Sequence, residues 1–191
     1  MSLCMSRQGV PVNLILFLVT VLFAGTASSA GELLSNGSFE TGLSSPWGRG
    51  QYGQGRDIWW NSNNCRSRVE IDETDAMEGL VSLHIINPSP RSPQVYGTTV
   101  QVISIEPNRP YRISVWVQGL NLASAGAVTL IVDDAWQVRP ITLPGGTYAW
   151  TKLSGIFSLP ADHANIRILS EDAGEAWLDD LKITPLDSVL Y

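Results

Sequence analysis

The segment YRISVWVQ, residues 111–118, decides the fold class of this chain. Its odd-numbered residues are all apolar or aromatic, whereas its even-numbered residues are polar with the exception of Trp116. A repeat of two residues is the period of a β-strand whose two faces differ in burial, because successive side chains of a strand point to opposite sides. We therefore interpret residues 111–118 as a strand with one face in an apolar core and with Trp116 on the other, polar face.

Short segments of the same kind lie on both sides of this strand. They are VQVISI (100–105), AVTLIV (127–132), TKLSGIFSL (151–159), ANIRIL (164–169) and AWLDDLKI (176–183). Clusters of turn residues separate them, namely EPNRP (106–110), LPGG (143–146), LPADH (159–163) and EDAGE (171–175). Short strands at regular spacing with such turns predict an all-β domain, a two-sheet antiparallel jelly-roll β-sandwich.

The first thirty residues have the composition of a cleavable signal peptide. One basic residue, Arg7, precedes an apolar run over 12–24, and the small residues GTASSA follow at 25–30. This order of charged, apolar and small-residue regions is typical of secretion signals. The apolar run is shorter than the roughly 20 residues that span a membrane, so we favour cleavage over an anchor. The prediction is a secreted protein, periplasmic or extracellular, with a signal peptide over 1–30 and one domain over 31–187.

The net charge of the chain indicates which partners it can bind, and its cysteine content indicates whether a disulfide can stabilise it. The whole chain has a net charge of −6, and removal of Arg7 makes it more negative by one unit. An acidic protein is not expected to bind nucleic acid or anionic membranes. Cys4 would leave with the signal peptide, so Cys65 has no partner for an internal disulfide, and stability must come from a large core or another cross-link. We expect a monomer.

Several phrases follow one another along the chain in a recognisable order. They are NGSFETG (36–42), AMEGLVSLHI (76–85), VQVISIEPNRPYRISVWV (100–117), WTKLSGIFSLP (150–160) and AWLDDLKI (176–183). The set resembles the jelly-roll carbohydrate-binding modules of cellulases and xylanases, the endoglucanase C type with a galactose-binding-domain-like fold. The resemblance covers nearly the whole domain but leaves out residues 47–68, where the glycine-rich RGQYGQG (49–55) is interpreted as a flexible rim loop.

The resemblance implies a structural calcium ion. It places the first segment, LLSNGSFETG (33–42), beside the last strand as a strand broken by a tight turn, so that Glu40 lies near the two aspartates of AWLDDLKI. Carboxylates that converge away from water repel one another unless a cation joins them, and calcium prefers oxygen ligands. We favour Asp179 over its neighbour because it has the parity of apolar residues in its strand, with carbonyl groups of Ser38 and Gly79 as further candidate ligands. The alternative is that these acids are solvated turn residues.

Sugar recognition would fall to exposed tryptophans, because a flat indole stacks on the apolar C–H face of a sugar ring while polar neighbours bond its hydroxyls. Trp116 would lie on the concave face of the jelly roll, unless it forms a second layer beneath a loop. Of the adjacent Trp59 and Trp60, one would pack and the other would be exposed, unless the pair fills the inside of its loop. Trp136 would flank a cleft.

Other residues complete this predicted site or are assigned to packing. The candidates for bonding hydroxyls are Arg112, Gln118 and Arg139, with Gln94, Tyr96 and Gln101 as further candidates near the strand that precedes Tyr111. The alternative for Gln101, which has the parity of Ile103 and Ile105, is a buried polar group. We expect the remaining tryptophans of the domain, Trp47, Trp150 and Trp177, to pack against the protein.

No catalytic motif stands in the sequence. His-Glu-x-x-His, Gly-x-Ser-x-Gly and a Cys–His arrangement are all absent, and no pair of carboxylates stands in a recognisable glycosidase pattern. The predicted function is non-catalytic binding of a β-linked plant or microbial polysaccharide. Two alternatives stay open: a structural or adhesive sandwich that binds a protein or matrix partner, and a small glycan hydrolase or lyase on the same fold.

Overall fold

A computed structural model describes residues 32–43, 46–48 and 58–186. Over these ranges the regular secondary structure consists of ten β-strands and no helix, so none of the described residues forms a helix that could cross a membrane. The strands are β1 (Trp60–Asn61), β2 (Arg68–Asp72), β3 (Ser82–Asn87), β4 (Gly97–Ser104), β5 (Tyr111–Leu122), β6 (Val128–Ile131), β7 (Ile141–Thr142), β8 (Gly146–Phe157), β9 (His163–Ser170) and β10 (Gly174–Pro185). The predicted signal peptide and the predicted rim loop at 49–55 lie outside the described residues.

The strands form two five-stranded sheets. The first, called the β4–β9 sheet, has the order β1-β4-β9-β6-β7, and the second, called the β5–β10 sheet, has the order β2-β3-β10-β5-β8. All neighbouring strands are antiparallel. Apolar side chains of both sheets share one core cluster. The prediction of an all-β sandwich of two antiparallel sheets is confirmed.

Alternation along the strands builds this core. In β5 the four odd-numbered residues of 111–117 are at most 2% exposed, whereas the residues between them are half-buried or exposed. Ile166 and Ile168 of β9 in the other sheet are fully buried in the same cluster. Burial of each such aliphatic side chain contributes about 1.5–3 kcal/mol before the entropy of ordering is counted. The even-numbered residues of β5 therefore lie on the outer face of the β5–β10 sheet.

The first segment lies beside the last strand, as expected, but it is not a strand. Leu33 donates its backbone N–H to the carbonyl of Ile183 at 3.4 Å, and Leu181 donates to the carbonyl of Gly37 at 3.0 Å. Asn36 has a φ of 52°, so the chain turns instead of extending. A Cβ at Gly37 would lie 1.9 Å from the carbonyl oxygen of Leu181, which is why glycine is needed at this close approach.

A β-bulge in β10 sets the position of its two adjacent aspartates. Trp116 of β5 pairs with Asp179, but Ser114 pairs with Lys182, so β10 carries one extra residue in this interval. Asp180 has a φ of 50° within the bulge. Asp179 therefore lies on the outer face of the sheet beside Trp116. The sequence predicted that Asp179 faces the core with Leu181 and Ile183, and this is wrong. The extra residue of the bulge lies between them, so odd-numbered residues face outward before it and toward the core after it.

Candidate functional site

Three aromatic rings, Trp60, Tyr96 and Trp136, form what we call the aromatic cluster. The ring centroids of Trp60 and Tyr96 are 5.5 Å apart with an interplanar angle of 65°, and those of Tyr96 and Trp136 are 5.1 Å apart with an angle of 64°. Edge-to-face contacts of this kind contribute about 0.5–1.5 kcal/mol each beyond the area that they bury. Trp60 is 43% exposed, and the other two rings are half-buried. The cluster is therefore a partly accessible aromatic surface.

Strand register places the first two rings on the outer face of the β4–β9 sheet. Trp60 pairs with Thr98 of β4. Tyr96 precedes Thr98 by two residues and therefore points to the same side, and its carbonyl accepts a hydrogen bond from the backbone of Ser62 at 2.8 Å. Ile103, which has the opposite parity in β4, belongs to the core. Both rings consequently point away from the core.

Trp136 reaches the cluster from the loop between β6 and β7. The carboxylate of Asp133 accepts hydrogen bonds from the backbone N–H groups of Gln137 and Val138, both at 2.9 Å. Val132 donates its backbone N–H to the carbonyl of Val138 at 3.1 Å and closes the loop. Trp136 itself has a φ of 64°. A left-handed backbone at a bulky residue is unfavourable, and it persists only where the surrounding contacts hold it.

Arg167 of β9 lies beneath Trp136. It pairs with Val100 of β4 on one side and with Ile131 of β6 on the other, in the middle of the sheet. The guanidinium carbon is 4.7 Å from the centroid of the Trp136 ring, and Arg167 is only 6% exposed. The sequence reasoning missed this residue. The alternation in ANIRIL, which puts an arginine on the face opposite the apolar residues, was the signal that could have found it.

Polar side chains of the β6–β7 loop, which carries Trp136, bond to side chains of β9 and of the turn that follows it. Arg139, a predicted hydroxyl-binding residue, donates to the carboxylate of Glu171 at 2.9 Å. Asn165, two residues before Arg167 on the same face, donates to Asp134, whose other carboxylate oxygen lies 3.1 Å from Nε2 of His163.

Two neighbouring carboxylates raise the pKa of His163. Asp162 lies 2.9 Å from its Nδ1, and hydrogen bonds to Asp162 and then to Asp134 raise the pKa of this half-buried histidine.

Trp59 and Trp60 point in different directions, as the extended-chain argument predicted. Trp59 is half-buried against the core, and its indole N–H donates to the hydroxyl of Ser67 at 3.0 Å. A Cβ at Gly97 would lie 2.5 Å from the indole nitrogen of Trp59, so the ring packs closely against β4. Trp60 is the exposed member of the pair. Within the described residues Cys65 is the only cysteine, and it is buried and unbonded to another sulfur.

The structure does not bring Trp116 to the aromatic cluster. Trp116 lies on the outer face of the β5–β10 sheet, on the opposite side of the core, together with the predicted hydroxyl-binding residues Arg112 and Gln118. Its indole is half-buried, and the Lys152 ammonium lies 5.4 Å from the ring centroid. Trp116 therefore does not form one site with Trp60 and Trp136. The prediction grouped them because alternation along a strand identifies a residue that points outward but does not tell to which sheet the strand belongs.

The last residue of β2 and the loop that follows it bond to side chains on the outer face of the β5–β10 sheet. Asp75 accepts hydrogen bonds from the indole of Trp150 at 2.8 Å and from the side chain of Gln118 at 2.9 Å. Asp72 accepts one from the indole of Trp177 at 2.8 Å. These contacts favour the alternative that Trp116 belongs to a layer beneath a loop.

The other tryptophans pack, as predicted. Trp177 stacks on His84 with centroids 4.0 Å apart and planes 8° apart. Its indole N–H, together with the stronger hydrogen bond from the hydroxyl of Thr74, lowers the pKa of Asp72 to about 2. Trp47 is 1% exposed and stacks on Phe39 beside the first segment. These rings therefore serve the folded structure.

Glu40 and Asp179 hold one turn from two sides. Glu40 accepts hydrogen bonds from the backbone N–H groups of residues 80 and 81, at 2.9 and 3.3 Å, and Asp179 accepts from those of residues 77 and 78, at 2.9 and 2.8 Å. Asp179 is fully buried, and this burial raises the pKa of its carboxyl group. Gly79 lies between the two pairs of backbone N–H groups and has a φ of 70°. A Cβ at this position would be 2.1 Å from the Glu40 carboxylate. Ser38 is half-buried two residues before Glu40.

Asp180 does not join these two carboxylates. It forms an ion pair with Lys182, and its other carboxylate oxygen lies 3.9 Å from the Lys152 ammonium. The expectation that three carboxylates converge is therefore wrong, because the bulge directs Asp180 toward the lysines. Across the ranges that the structure describes, no three acidic, histidine or cysteine side chains are grouped to hold a metal ion.

Comparison with known proteins reveals a similarity of fold. No family model and no curated protein sequence matches the chain. A family 61 carbohydrate-binding module solved with β-1,4-galactotriose superimposes with a TM-score of 0.57 at 16% identity, over 82% of this chain and 99% of that one. A family 16 carbohydrate-binding module gives a TM-score of 0.53 at 17% identity, over 80% of this chain and 99% of that one.

Two longer proteins contain the same fold as a part. The tandem family 22 carbohydrate-binding modules of a Paenibacillus barcinonensis xylanase match with a TM-score of 0.56 at 17% identity, over 86% of this chain and 48% of that one. An arabinose-bound α-L-arabinofuranosidase matches with a TM-score of 0.56 at 15% identity, over 82% of this chain and 26% of that one. The protein therefore has the jelly-roll β-sandwich fold found in carbohydrate-binding modules.

Proposed function

We propose that this protein is a secreted, non-catalytic carbohydrate-binding module that holds a β-linked polysaccharide on the outer face of its β4–β9 sheet. The observation that carries the proposal is the aromatic cluster, in which Trp60 is 43% exposed beside Tyr96 and Trp136. Aromatic rings presented among polar groups suit sugars, whose rings have apolar C–H faces and hydroxyl edges. The family 61 module of the same fold was solved with β-1,4-galactotriose, which makes β-1,4-galactan one of the ligands to test.

The tilt between the rings favours one kind of ligand. Neighbouring rings of the cluster meet at 65° and 64°, so they cannot all lie flat against one plane. A flat crystalline surface therefore cannot stack on both members of either neighbouring pair, whereas a single soluble chain can bend its successive sugar units from one ring to the next. Arg139 and Asp134 lie in the same β6–β7 loop as Trp136 and are held by Glu171 and Asn165, and we assign to them the bonding of hydroxyl groups.

Affinity electrophoresis tests this proposal. The purified protein is run through gels that contain soluble β-glucan, xylan, mannan or β-1,4-galactan, and we expect retardation by at least one of them. The release of reducing ends from the same polysaccharides should stay at the level of a protein-free control. Retardation by none of the four would contradict the proposed function, and release of reducing ends would favour the hydrolase alternative.

The variants Trp60→Ala and Trp136→Ala locate the site. Loss of one stacked aromatic ring should cost about 1–3 kcal/mol of binding, which is roughly a 5- to 150-fold loss of affinity. Trp116→Ala is the matched control, because it removes an indole from the outer face of the other sheet. If Trp116→Ala abolished binding while the two cluster variants bound normally, the binding face would be that of the β5–β10 sheet.

We also propose that calcium binds between the first segment and the last strand. Its ligands would be the carboxylates of Glu40 and Asp179, with carbonyl oxygens of Ser38 and Gly79. Two carboxylates that approach one turn, one of them fully buried with a raised pKa, form a donor set that suits a hard cation. Calcium, when bound, would offset the buried negative charge and cross-link segments far apart in sequence. Chelator should then lower the melting temperature of the protein.

A further inference from the structure

We propose that Arg167 is a positioning residue for glycan binding: its guanidinium fixes the plane of the Trp136 indole, and it acts on the ligand through that ring. This inference rests on the proposed function, because it concerns the same aromatic cluster. Arg167 is only 6% exposed beneath the ring, so it is not placed to bond sugar hydroxyls itself.

The setting of Arg167 is unusual for a charged residue. It stands in the middle strand of the β4–β9 sheet, paired with Val100 and Ile131, which are 6% and 0% exposed. Removing a guanidinium from water at such a position is costly, and an unbranched apolar side chain of similar length would fill the space without that cost. What the guanidinium adds is a flat, delocalised cation that stacks on an aromatic face, here with 4.7 Å between its central carbon and the centroid of the Trp136 ring.

Trp136 requires such support because its loop does not fix the ring. The hydrogen bonds of Asp133 and Val132 hold the backbone on either side, and Trp136 has the left-handed φ of 64° between them. Over the ranges that the structure describes, the indole makes an edge-to-face contact with Tyr96 and has the Arg167 guanidinium over its face, and these contacts limit the side-chain torsions that orient it. A ring held in place before binding loses little conformational entropy when a sugar stacks on it, which increases affinity.

A double-mutant cycle tests whether Arg167 acts through Trp136. Affinity is measured for Arg167→Met, Trp136→Ala and the double variant against soluble xylan, β-1,4-galactan, β-glucan and mannan, using whichever the unmodified protein binds most tightly. Arg167→Met should weaken binding about 2- to 30-fold, the range of a partly desolvated cation–π contact. In the Trp136→Ala background the same substitution should cause no further loss. Arg167→Lys, which keeps a cation, should bind with intermediate affinity.

A second double-mutant cycle measures the stability of the protein and needs no ligand. The urea midpoints of the same variants should be non-additive, because the two residues stabilise one another only when both are present. Arg68→Met is the matched control, since it removes an exposed arginine from the other sheet and should change neither measurement. If Arg167→Met does not fold, Arg167→Lys replaces it in both cycles.

The outcomes separate this inference from the proposed function. If the unmodified protein binds none of the four polysaccharides, both are overturned. If it binds and Arg167→Met binds equally well, only the role of Arg167 is overturned. The same holds if the losses from Arg167→Met and Trp136→Ala are additive in affinity or in stability, because additivity means that Arg167 does not act through the ring.

Discussion

Substitution of Asp179 separates the two roles that its buried carboxylate is expected to have, as a hydrogen-bond acceptor and as a calcium ligand. The carboxylate accepts hydrogen bonds from the backbone N–H groups of residues 77, 78 and 180, at 2.9, 2.8 and 2.6 Å. Asp179→Ala removes the acceptor for all three and leaves a small void. Asp179→Asn keeps the volume and one carbonyl oxygen but removes the negative charge.

The structure sets the expected size of each effect. A buried N–H group that loses its acceptor costs about 1–3 kcal/mol. Residues 77 and 78 are exposed, so water can satisfy part of that loss, and we expect Asp179→Ala to lower the free energy of unfolding by about 2–4 kcal/mol, or the melting temperature by roughly 4–16 °C. Because burial raises the pKa of Asp179, its charge is unfavourable without a cation. Asp179→Asn should therefore lie within about 1 kcal/mol of the unmodified protein in chelator.

In calcium, the unmodified protein should become clearly more stable than Asp179→Asn. A ligand present at 100 times its dissociation constant stabilises the folded state by about 2.7 kcal/mol. The unmodified protein should gain that stability in calcium, whereas Asp179→Asn, which lacks a charged ligand, should gain little. The assay is thermal unfolding of both proteins in excess calcium and in metal-free buffer with chelator.

Asp180→Asn is the matched control, because Asp180 pairs with Lys182 and is not among the proposed ligands. It should keep the calcium response. An equal calcium response in the unmodified protein and in Asp179→Asn would refute the assignment of Asp179 as a ligand. A melting temperature of the unmodified protein that neither calcium nor chelator changes would refute the calcium site itself. If Asp179→Ala had the same melting temperature as the unmodified protein, the hydrogen bonds that Asp179 accepts would not stabilise the fold, contrary to our expectation.

Three further predictions concern the outer faces of the two sheets, the histidine His163 and the thiol of Cys65. Trp60→Ala should lose roughly 5- to 150-fold in glycan affinity with little change in melting temperature, whereas Trp116→Ala should lose about 1–3 kcal/mol of stability with unchanged affinity; the reverse pattern would move the site to the other sheet. The pKa of His163 is raised above 6.5, so its stabilising effect is full below about pH 6.5 and is lost as the pH rises through the folded-state pKa. The melting temperature of His163→Gln should therefore fall below that of the unmodified protein near pH 5.5 and approach it near pH 8.5, and a constant difference would contradict this. Cys65 should titrate as one thiol after unfolding, and reductant should leave the stability unchanged; a stability that depends on reductant would indicate a disulfide.

The amino-acid pattern alone was enough to predict the fold class and, for β5, the side of the strand that faces the core. The alternation in residues 111–118 predicted four buried residues in β5, and all four are at most 2% exposed. The opening segment was correctly expected beside the last strand, and Glu40 and Asp179 do approach one turn from two sides. These predictions succeeded because burial in a strand depends on local periodicity and because the resemblance carried the order of the segments.

Which outward residues lie together depends on the arrangement of the strands in space, which the sequence pattern does not contain. Trp116 and Arg167 both stand on the outer side of a strand, but β5 and β9 belong to different sheets, so the two residues are on opposite sides of the molecule. The bulge in β10 likewise moved Asp179 to a face that strand parity did not predict.

The physical reason lies in the range of the interactions. A period of two residues assigns a side chain to one side of its strand, but it does not tell which strands pair or which loop covers a face. Those depend on contacts between distant segments, such as the hydrogen bond between Asp75 and Trp150, which fixes a loop against the outer face of the β5–β10 sheet across 75 residues of sequence. The contact of Arg167 with Trp136 is of the same kind, because the pairing of β6 with β9 brings the β6–β7 loop to Arg167.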